Sequence, residues 1–211
     1  MPTFNVLENR QLSEHTFCLK TERPSDTIVA GQCFNVGVPG SGVNREYSMY
    51  SDANAPHLEF LIRQVEDGTV SPALAAVRPG DPVEIDGPYG EFTLKTPDDD
   101  SLHYLFICTG TGIAPFHSFV ATYTDIRYQI LHGVRHEDEQ YDAAHYPAGA
   151  YTSVLSRGPN PQRVTDYLIS HTVDPDTIIY LCGNRSMIID VFAILRDAGV
   201  PGDNLFTEVF F

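Results

Sequence analysis

The chain has 211 residues, room for one large domain or two small ones. Hydrophobic residues make up 42% of it, enough for real cores, which excludes a disordered chain. Lysine and arginine number 13 against 28 acidic residues, and the net charge of −15 argues against a nucleic-acid binder and against docking on an anionic membrane.

The first half reads as β-structure. Thr3–Glu8, His15–Thr21, Cys33–Val38, Arg45–Tyr50, His57–Glu66, Pro82–Asp86 and Glu91–Lys95 are short segments rich in β-formers. In His57–Glu66, Leu58, Phe60 and Ile62 point one way and Glu59 and Arg63 the other. Turn residues at Pro39-Gly40, Asp67-Gly68, Pro79-Gly80-Asp81 and Gly87-Pro88 separate the strands, a spacing that predicts a closed barrel or sandwich. Ser71-Pro72 reads as an N-cap followed by proline at the first helical position, opening a short helix over Ala73–Val77.

The period changes in the second half. Leu102–Cys108 is a compact apolar run, as a buried parallel strand should be, and a helix from about Pro115 to Tyr123 follows Gly110-Thr111-Gly112. Strands at Ile126–His132, Ala150–Leu155, Thr177–Cys182 and Asn204–Phe210 alternate with helices near Arg163–Ser170 and Ser186–Ala198. Glu137–Tyr146 reads as a polar helix or loop. This alternation predicts a parallel sheet covered on both faces, with the boundary near the Pro-Asp-Asp-Asp linker of Thr96–Ser101. The expected fold is therefore an antiparallel β-barrel over residues 1–97 joined to a parallel-sheet α/β domain over residues 98–211.

Cys18, Cys33, Cys108 and Cys182 form no C-x-x-C pair, so neither a zinc site nor an iron–sulfur cluster is expected. Free buried thiols, no signal-like run in MPTFNVLENRQL and no apolar run of membrane-spanning length point to a cytoplasmic chain. His132 and His136 lie four apart, but on a strand and loop, where helical ligand geometry does not apply.

Several motifs carry chemistry. Gly110-Thr111-Gly112-Ile113-Ala114-Pro115 joins a buried strand to a helix; glycines there let backbone N–H groups approach a pyrophosphate. The same run also suits a plain strand-to-helix turn. Arg45-Glu46-Tyr47-Ser48 lies on a strand, with Arg45 and Tyr47 on one face and Ser48 on the other. Their order along the chain, with Gly68-Thr69-Val70-Ser71, Leu181-Cys182-Gly183-Asn184 and the ending Glu208-Val209-Phe210-Phe211, resembles the ferredoxin–NADP reductase superfamily, the bacterial ferredoxin/flavodoxin reductases in particular. The resemblance covers nearly the whole chain.

That resemblance implies FAD on the barrel and NADP(H) on the α/β domain. Arg45 would pair with the FAD pyrophosphate, Tyr47 would pack on the isoalloxazine, and Ser48 would face flavin N5. Leu61, Ile62, Arg63 and Gln64 would line the flavin, and Thr69, Val70 and Ser71 would hold its pyrophosphate. Thr111 would sit where the domains meet, and Phe210 and Phe211 would cover the other flavin face, or merely anchor the last strand. Cys182 and Glu208 would flank the nicotinamide; with Ser48 they are the candidate catalytic residues, although Cys182 also fits a plain buried strand-end position. NADPH would contact Gly110, Thr111, Gly112, Arg135, Ser156, Arg157, Arg163, Cys182, Gly183 and Asn184. Arg157 and Arg163 on the 2′-phosphate would favour NADPH over NADH by very roughly 10²–10⁴, unless they only balance the acidic surface.

The implied reaction is hydride transfer between NADPH and FAD N5, coupled to one-electron exchange with a separate ferredoxin or flavodoxin. A reductase component of an oxygenase, a free-flavin or ferric reductase, and a non-enzymatic flavin-binding redox sensor are the alternatives. Two departures bear on the choice. The segment around Arg135–Thr152 is short for the family. The net charge of −15 also fits poorly with an acidic acceptor, unless a local patch around Arg45, Arg63 and Arg78 suffices or salt screens the repulsion.

Overall fold

The computed structural model describes residues 1–210; Phe211 lies outside the described residues. The chain forms two units, Met1–Lys95 with Ala114–Thr124, and Thr96–Ile113 with the chain from Asp125 onward.

The first unit is built on six strands: β1 (Thr3–Ser13), β2 (Thr16–Glu22), β3 (Cys33–Gly37), β4 (Asn44–Ser48), β5 (His57–Arg63) and β6 (Pro82–Tyr89). They run antiparallel in the order β4-β3-β6-β1-β2-β5. The core is made by Val6, Phe17, Leu19, Phe34, Val36, Leu58, Phe60, Ile62, Val83 and Ile85, with Phe34 and Phe60 edge to face at 5.8 Å.

The closed barrel expected from the sequence is not formed. Strands β4 and β5 meet at the isolated bridge Met49–Phe60, where Tyr50 N donates to Glu59 O at 2.8 Å. One residue further the ladder stops, because Glu59 N donates to the Ser51 hydroxyl (3.2 Å) instead of a strand carbonyl. The sheet is therefore open, with its edges brought close.

β1 runs five residues beyond the expected Glu8. Register shifts between Val6 and Glu8 and between Gln11 and Ser13 interrupt its alternation, leaving Leu7 exposed and hiding the strand from a period-two reading. The expected strand Glu91–Lys95 is irregular. Thr93 N donates locally to Glu91 O (2.8 Å), and Phe92 packs near Phe116 and Phe119 of α2 (Ala114–Thr122), with ring centroids 6.1 and 6.2 Å away. Thr69 occupies the N-cap position of helix α1 (Val70–Ala75) without a side-chain capping bond, so Ser71 stands inside the helix and is not its N-cap. Its C-terminal carbonyls are satisfied from β1: Asn9 Nδ2 donates to Leu74, Ala75 and Val77 O at 3.0–3.2 Å.

The second unit holds five parallel strands, β7 (His103–Thr109), β8 (Arg127–Val134), β9 (Tyr151–Leu155), β10 (Ile178–Asn184) and β11 (Leu205–Phe210), in the order β11-β10-β7-β8-β9. One face is aliphatic: Ile107, Leu131, Val154, Ile179 and Leu181 pack under α3 (Val164–Ser170) and α4 (Arg185–Asp197) through Leu168, Val191 and Leu195. The other face carries Tyr104, Phe106, Tyr128, Tyr180 and Phe206, with neighbouring ring centroids 4.8–6.1 Å apart. The Glu137–Tyr146 segment contains two short 3₁₀ turns, Glu137–Glu139 and Ala143–His145.

Because β7 starts in the middle of this sheet, the chain turns to β8 on one side and to β10 on the other. Ligands of open parallel sheets bind at such a switch point, beyond the C-terminal ends of the strands. Here that point lies between β7 and β10, where the Gly110 and Gly183 motifs end their strands.

Candidate cofactor-binding sites

In the first unit, Arg45 and Tyr47 share a face of β4, and Ser48 turns inward and is buried. Arg45 is exposed, its Nη1 donating to Asn44 O at 2.9 Å. Desolvation pushes the Tyr47 phenol up to about 12, against a smaller lowering by Arg45, so Tyr47 offers a neutral ring and hydroxyl at neutral pH. An exposed guanidinium beside such a ring suits a flavin nucleotide's phosphates and ring system.

Leu61 and Ile62 are buried in the core and pair with Cys18 and Phe17 of β2, so their side chains cannot line a flavin. What they can offer is backbone, since β5 is an edge strand. Arg63 and Gln64 are half-buried, and Gln64 N donates to His15 O at 2.7 Å. The Gly68–Ser71 turn is braced by its own serine: the Ser71 hydroxyl accepts from Val65 N (3.0 Å). Thr69 is exposed at the start of α1, and Val70 is buried.

In the second unit, the β7–α2 connection is a 3₁₀ turn, Gly110–Ile113. Gly110 has φ +53, and a Cβ there would meet nothing within 4 Å. Gly112 is the opposite case. Its absent side chain lets the turn rest on β10, since a Cβ would come within 2.5 Å of Cys182 O and 2.8 Å of Gly183 Cα. Gly183 has φ +126 and fits against Thr109, whose Oγ1 accepts from Asn184 N at 3.0 Å. Asn184 caps α4, its Oδ1 accepting from Ser186 N (2.9 Å) and Met187 N (3.4 Å). Asn184→Ala is expected to lower unfolding free energy by about 1 kcal/mol, read from urea denaturation, with Asn184→Asp retaining most of it.

Strand register aligns Glu208, Cys182, Cys108, His132 and Ser153 in one row across the C-terminal end of the sheet. Cys182 Sγ donates to Glu208 Oε2 at 3.8 Å. Burial, with the Glu208 charge beside it, pushes the Cys182 thiol well above its ordinary range. Cys182 is therefore held as a neutral thiol that donates to the Glu208 carboxylate. Phe210 is half-buried at the end of β11, opposite Asn184; Phe211, its expected companion, lies outside the described residues.

Arg135 and Arg157 leave the ends of β8 and β9 side by side, Arg157 N donating to Arg135 O at 3.2 Å, and both are exposed. Ser156 spends its hydroxyl proton on Val134 O (3.1 Å), so it can offer a phosphate only after that bond breaks. Arg163 is exposed at the N-cap of α3, where its N–H donates to Asp166 Oδ2 at 2.8 Å. Thr111 is half-buried in the 3₁₀ turn.

His132 was absent from the expected site. It is fully buried, its Nε2 lies 2.8 Å from Gly110 O, and its Nδ1 lies 2.8 Å from Tyr151 OH. The only signal for it in the sequence is its inward position at the end of an apolar strand.

Among the described residues no cluster of histidine, cysteine, aspartate or glutamate could hold a metal ion, and no helix is long and apolar enough to cross a membrane.

Known proteins match both halves. Residues 3–94 match the oxidoreductase FAD-binding domain family, and residues 106–192 match the oxidoreductase NAD-binding domain family. The toluate 1,2-dioxygenase electron transfer component of Pseudomonas putida is 30% identical, the alignment covering 95% of this chain and 65% of that protein. The ferredoxin–NADP reductase of Azotobacter vinelandii is 28% identical, with 97% and 96% covered. A ferredoxin NADP+ reductase from Neisseria gonorrhoeae, solved with bound FAD and NADP, superimposes at a TM-score of 0.88 with 25% identity, covering 100% of this chain and 98% of that one. The chain spans between 28% and 65% of the length of the oxygenase- and demethylase-associated relatives that it matches. An open antiparallel sheet carrying Arg45-Glu46-Tyr47-Ser48, followed by a parallel sheet whose switch point is built from Gly112, Cys182 and Gly183, thus coincides with two matched cofactor domains in the same order, and the chain belongs to the ferredoxin–NADP reductase superfamily.

Proposed function

We propose that the protein is an FAD-dependent NADPH reductase that passes electrons to a separate small redox protein of the ferredoxin or flavodoxin kind. FAD is held within residues 1–97 and NADP(H) within 98–211. The observation that carries the reading is the end of the parallel sheet, where the Gly110–Ile113 turn rests on the Cys182-Gly183 backbone and Cys182 donates to Glu208.

FAD supplies the chemistry when bound, accepting a hydride from the nicotinamide and releasing electrons one at a time. The chain supplies position and charge. Arg45 takes the FAD pyrophosphate with the Gly68–Ser71 turn, Tyr47 packs on the ring system, and Ser48 offers its hydroxyl from the inner side of β4. The edge backbone of Leu61 and Ile62, with Arg63 and Gln64, completes that side. The backbone of Gly110, Thr111 and Gly112 receives the nucleotide's pyrophosphate. Cys182 holds the Glu208 carboxylate at the end of the switch point, beside Gly183 and Asn184, with Phe210 at the end of the neighbouring strand. No covalent intermediate is required; reacting atoms need to be held about 3–3.5 Å apart.

Arg157 and Arg163 select a 2′-phosphate, and Arg135, beside Arg157, is a further cofactor contact. Arg157→Ala is expected to raise KM for NADPH about tenfold while leaving KM for NADH unchanged, the loss of one charge-assisted hydrogen bond at an exposed site. Anaerobic titration of the purified protein with NADPH and NADH tests the whole reading. Prompt bleaching of the visible flavin band that favours NADPH supports it; bound flavin that neither nucleotide reduces overturns it. Equal or better efficiency with NADH removes the phosphate role of the arginines.

A second reading is a reductase component of an oxygenase. The 30% identity to the toluate dioxygenase component over 95% of this chain favours it. So does the net charge of −15, which repels an acidic ferredoxin at low salt. Reduction rates with a ferredoxin, a flavodoxin and an oxygenase component separate the two.

A further inference from the structure

We propose that His132 is a positioning residue for the pyridine nucleotide: by holding the Gly110 carbonyl it aims the Thr111 amide at the nucleotide's phosphates, and Tyr151 fixes the tautomer in which it does so. The proposal rests on the reading of the Gly110–Ile113 turn given above.

A carbonyl can only accept, so the 2.8 Å contact between His132 Nε2 and Gly110 O makes Nε2 the protonated nitrogen. Nδ1 then carries the lone pair and accepts from Tyr151 OH, also at 2.8 Å. Both ring nitrogens are used, and the ring is completely buried. The ring stays neutral, because desolvation lowers its pKa to about 4 against a smaller opposite pull from Gly110 O. Tyr151 is itself braced by stacking on Tyr146, with centroids 5.1 Å apart and planes 9° from parallel, and Tyr141 lies 6.1 Å from the His132 ring.

Peptide geometry converts this contact into a functional constraint. In a planar trans peptide the C=O and the following N–H point in opposite directions. With the Gly110 carbonyl held on His132, the Thr111 N–H of the same peptide points away from the His132 ring. Gly110, at φ +53, has open space beside it on the side where a Cβ would stand. Gly112 anchors the other end of the turn on Cys182 and Gly183. One side chain and one backbone contact thus fix both ends of a turn whose leading amide, that of Thr111, stands on the far side of its peptide from the His132 ring. A histidine at this place is otherwise costly: an apolar ring would fill the same volume with no polar atom to satisfy.

The test compares glutamine, whose amide reaches the Nε2 position, with asparagine, whose amide stops at the Nδ1 position. Dissociation constants for NADP+ are measured by equilibrium titration, alongside the melting temperature, FAD content and kcat at saturating NADPH. His132→Asn is expected to weaken NADP+ about tenfold with kcat within about twofold of the parent; His132→Gln stays within about threefold of the parent. Tyr151→Phe, which removes the tautomer lock at constant volume, is expected to weaken NADP+ about threefold. The proposal is overturned if His132→Asn binds NADP+ as the parent does, or if His132→Gln is as impaired as His132→Asn. If His132→Asn does not fold, Tyr151→Phe and His132→Gln decide, and parent-like binding by Tyr151→Phe overturns the tautomer lock. If the unsubstituted protein binds neither NADP+ nor NAD+, the reductase reading falls first and takes the proposal with it.

Discussion

Gly112→Ala is expected to destabilise the second unit by about 3 kcal/mol, whereas Gly110→Ala, two residues away, costs about 1 kcal/mol. The difference follows from what each Cβ would meet. At Gly112 it would come within 2.5 Å of Cys182 O, 2.7 Å of Cys182 C and 2.8 Å of Gly183 Cα. These atoms belong to β10, a central strand paired with both β7 and β11, so they cannot retreat without breaking a ladder. The Gly110–Ile113 turn must lift instead, and it carries the start of α2 with it. At Gly110 the cost is only the left-handed φ of +53 for a residue with a side chain, because the space is open. Urea denaturation followed by near-ultraviolet circular dichroism separates the two variants. A Gly112→Ala protein within about 1 kcal/mol of the parent would show that the turn does not rest on β10 as described. The two variants also divide stability from binding: Gly110→Ala should keep the fold and, on the proposed reading of this turn, weaken NADP+, since its methyl enters the open space beside it.

The pattern of elements was readable because both halves carry strong periods. Leu102–Cys108 reads as a compact apolar run, and the ends of the five parallel strands differ from the expected ones by no more than two residues. What misled was local and side-chain-driven. Two bulges hide the second half of β1 from an alternation count. The Ser51 hydroxyl takes the Glu59 N–H and leaves the sheet open where a barrel was expected. Phe92 and its neighbours are β-formers used to pack against α2, not to extend the sheet. Ser71-Pro72 has the composition of a helix start, yet the serine serves Val65 N from inside α1.

The motifs were visible as words, and the structure adds what each word does. Gly112 and Gly183 are the close-approach residues, whereas Gly110 supplies the turn and open space. Asn184 is a helix cap, Cys182 a donor to Glu208, and Leu61 and Ile62 are core. His132 was discounted because it failed as a metal ligand. Its role depends on Gly110 and Tyr151, which the fold brings to it from 22 residues before and 19 residues after in the chain.

The same histidine predicts an acid sensitivity of about 3 kcal/mol. A histidine in the unfolded chain protonates near pH 6.5, while folded His132 does so only near 4. Between these values the unfolded state binds the extra proton, so stability falls as pH falls. The contribution is fully present above about pH 6.5 and is lost progressively towards pH 4. The groups facing the ring do not reverse this. Tyr151 bonds the ring through its hydroxyl, the Tyr141 ring lies 6.1 Å away, and Cys108 is the register partner on β7; burial raises both Tyr151 and Cys108 away from this range. An opposing trend comes from the rest of the chain, because acid relieves the self-repulsion of a net charge of −15. The informative quantity is therefore the difference between the parent and His132→Gln, which has no group to protonate. Urea unfolding at intervals from pH 7 to pH 4 should show that difference shifting by about 3 kcal/mol in favour of the glutamine variant as pH falls. Parallel curves would mean that His132 titrates near its ordinary value, and hence that it is not the buried, neutral donor on which the Gly110 carbonyl depends.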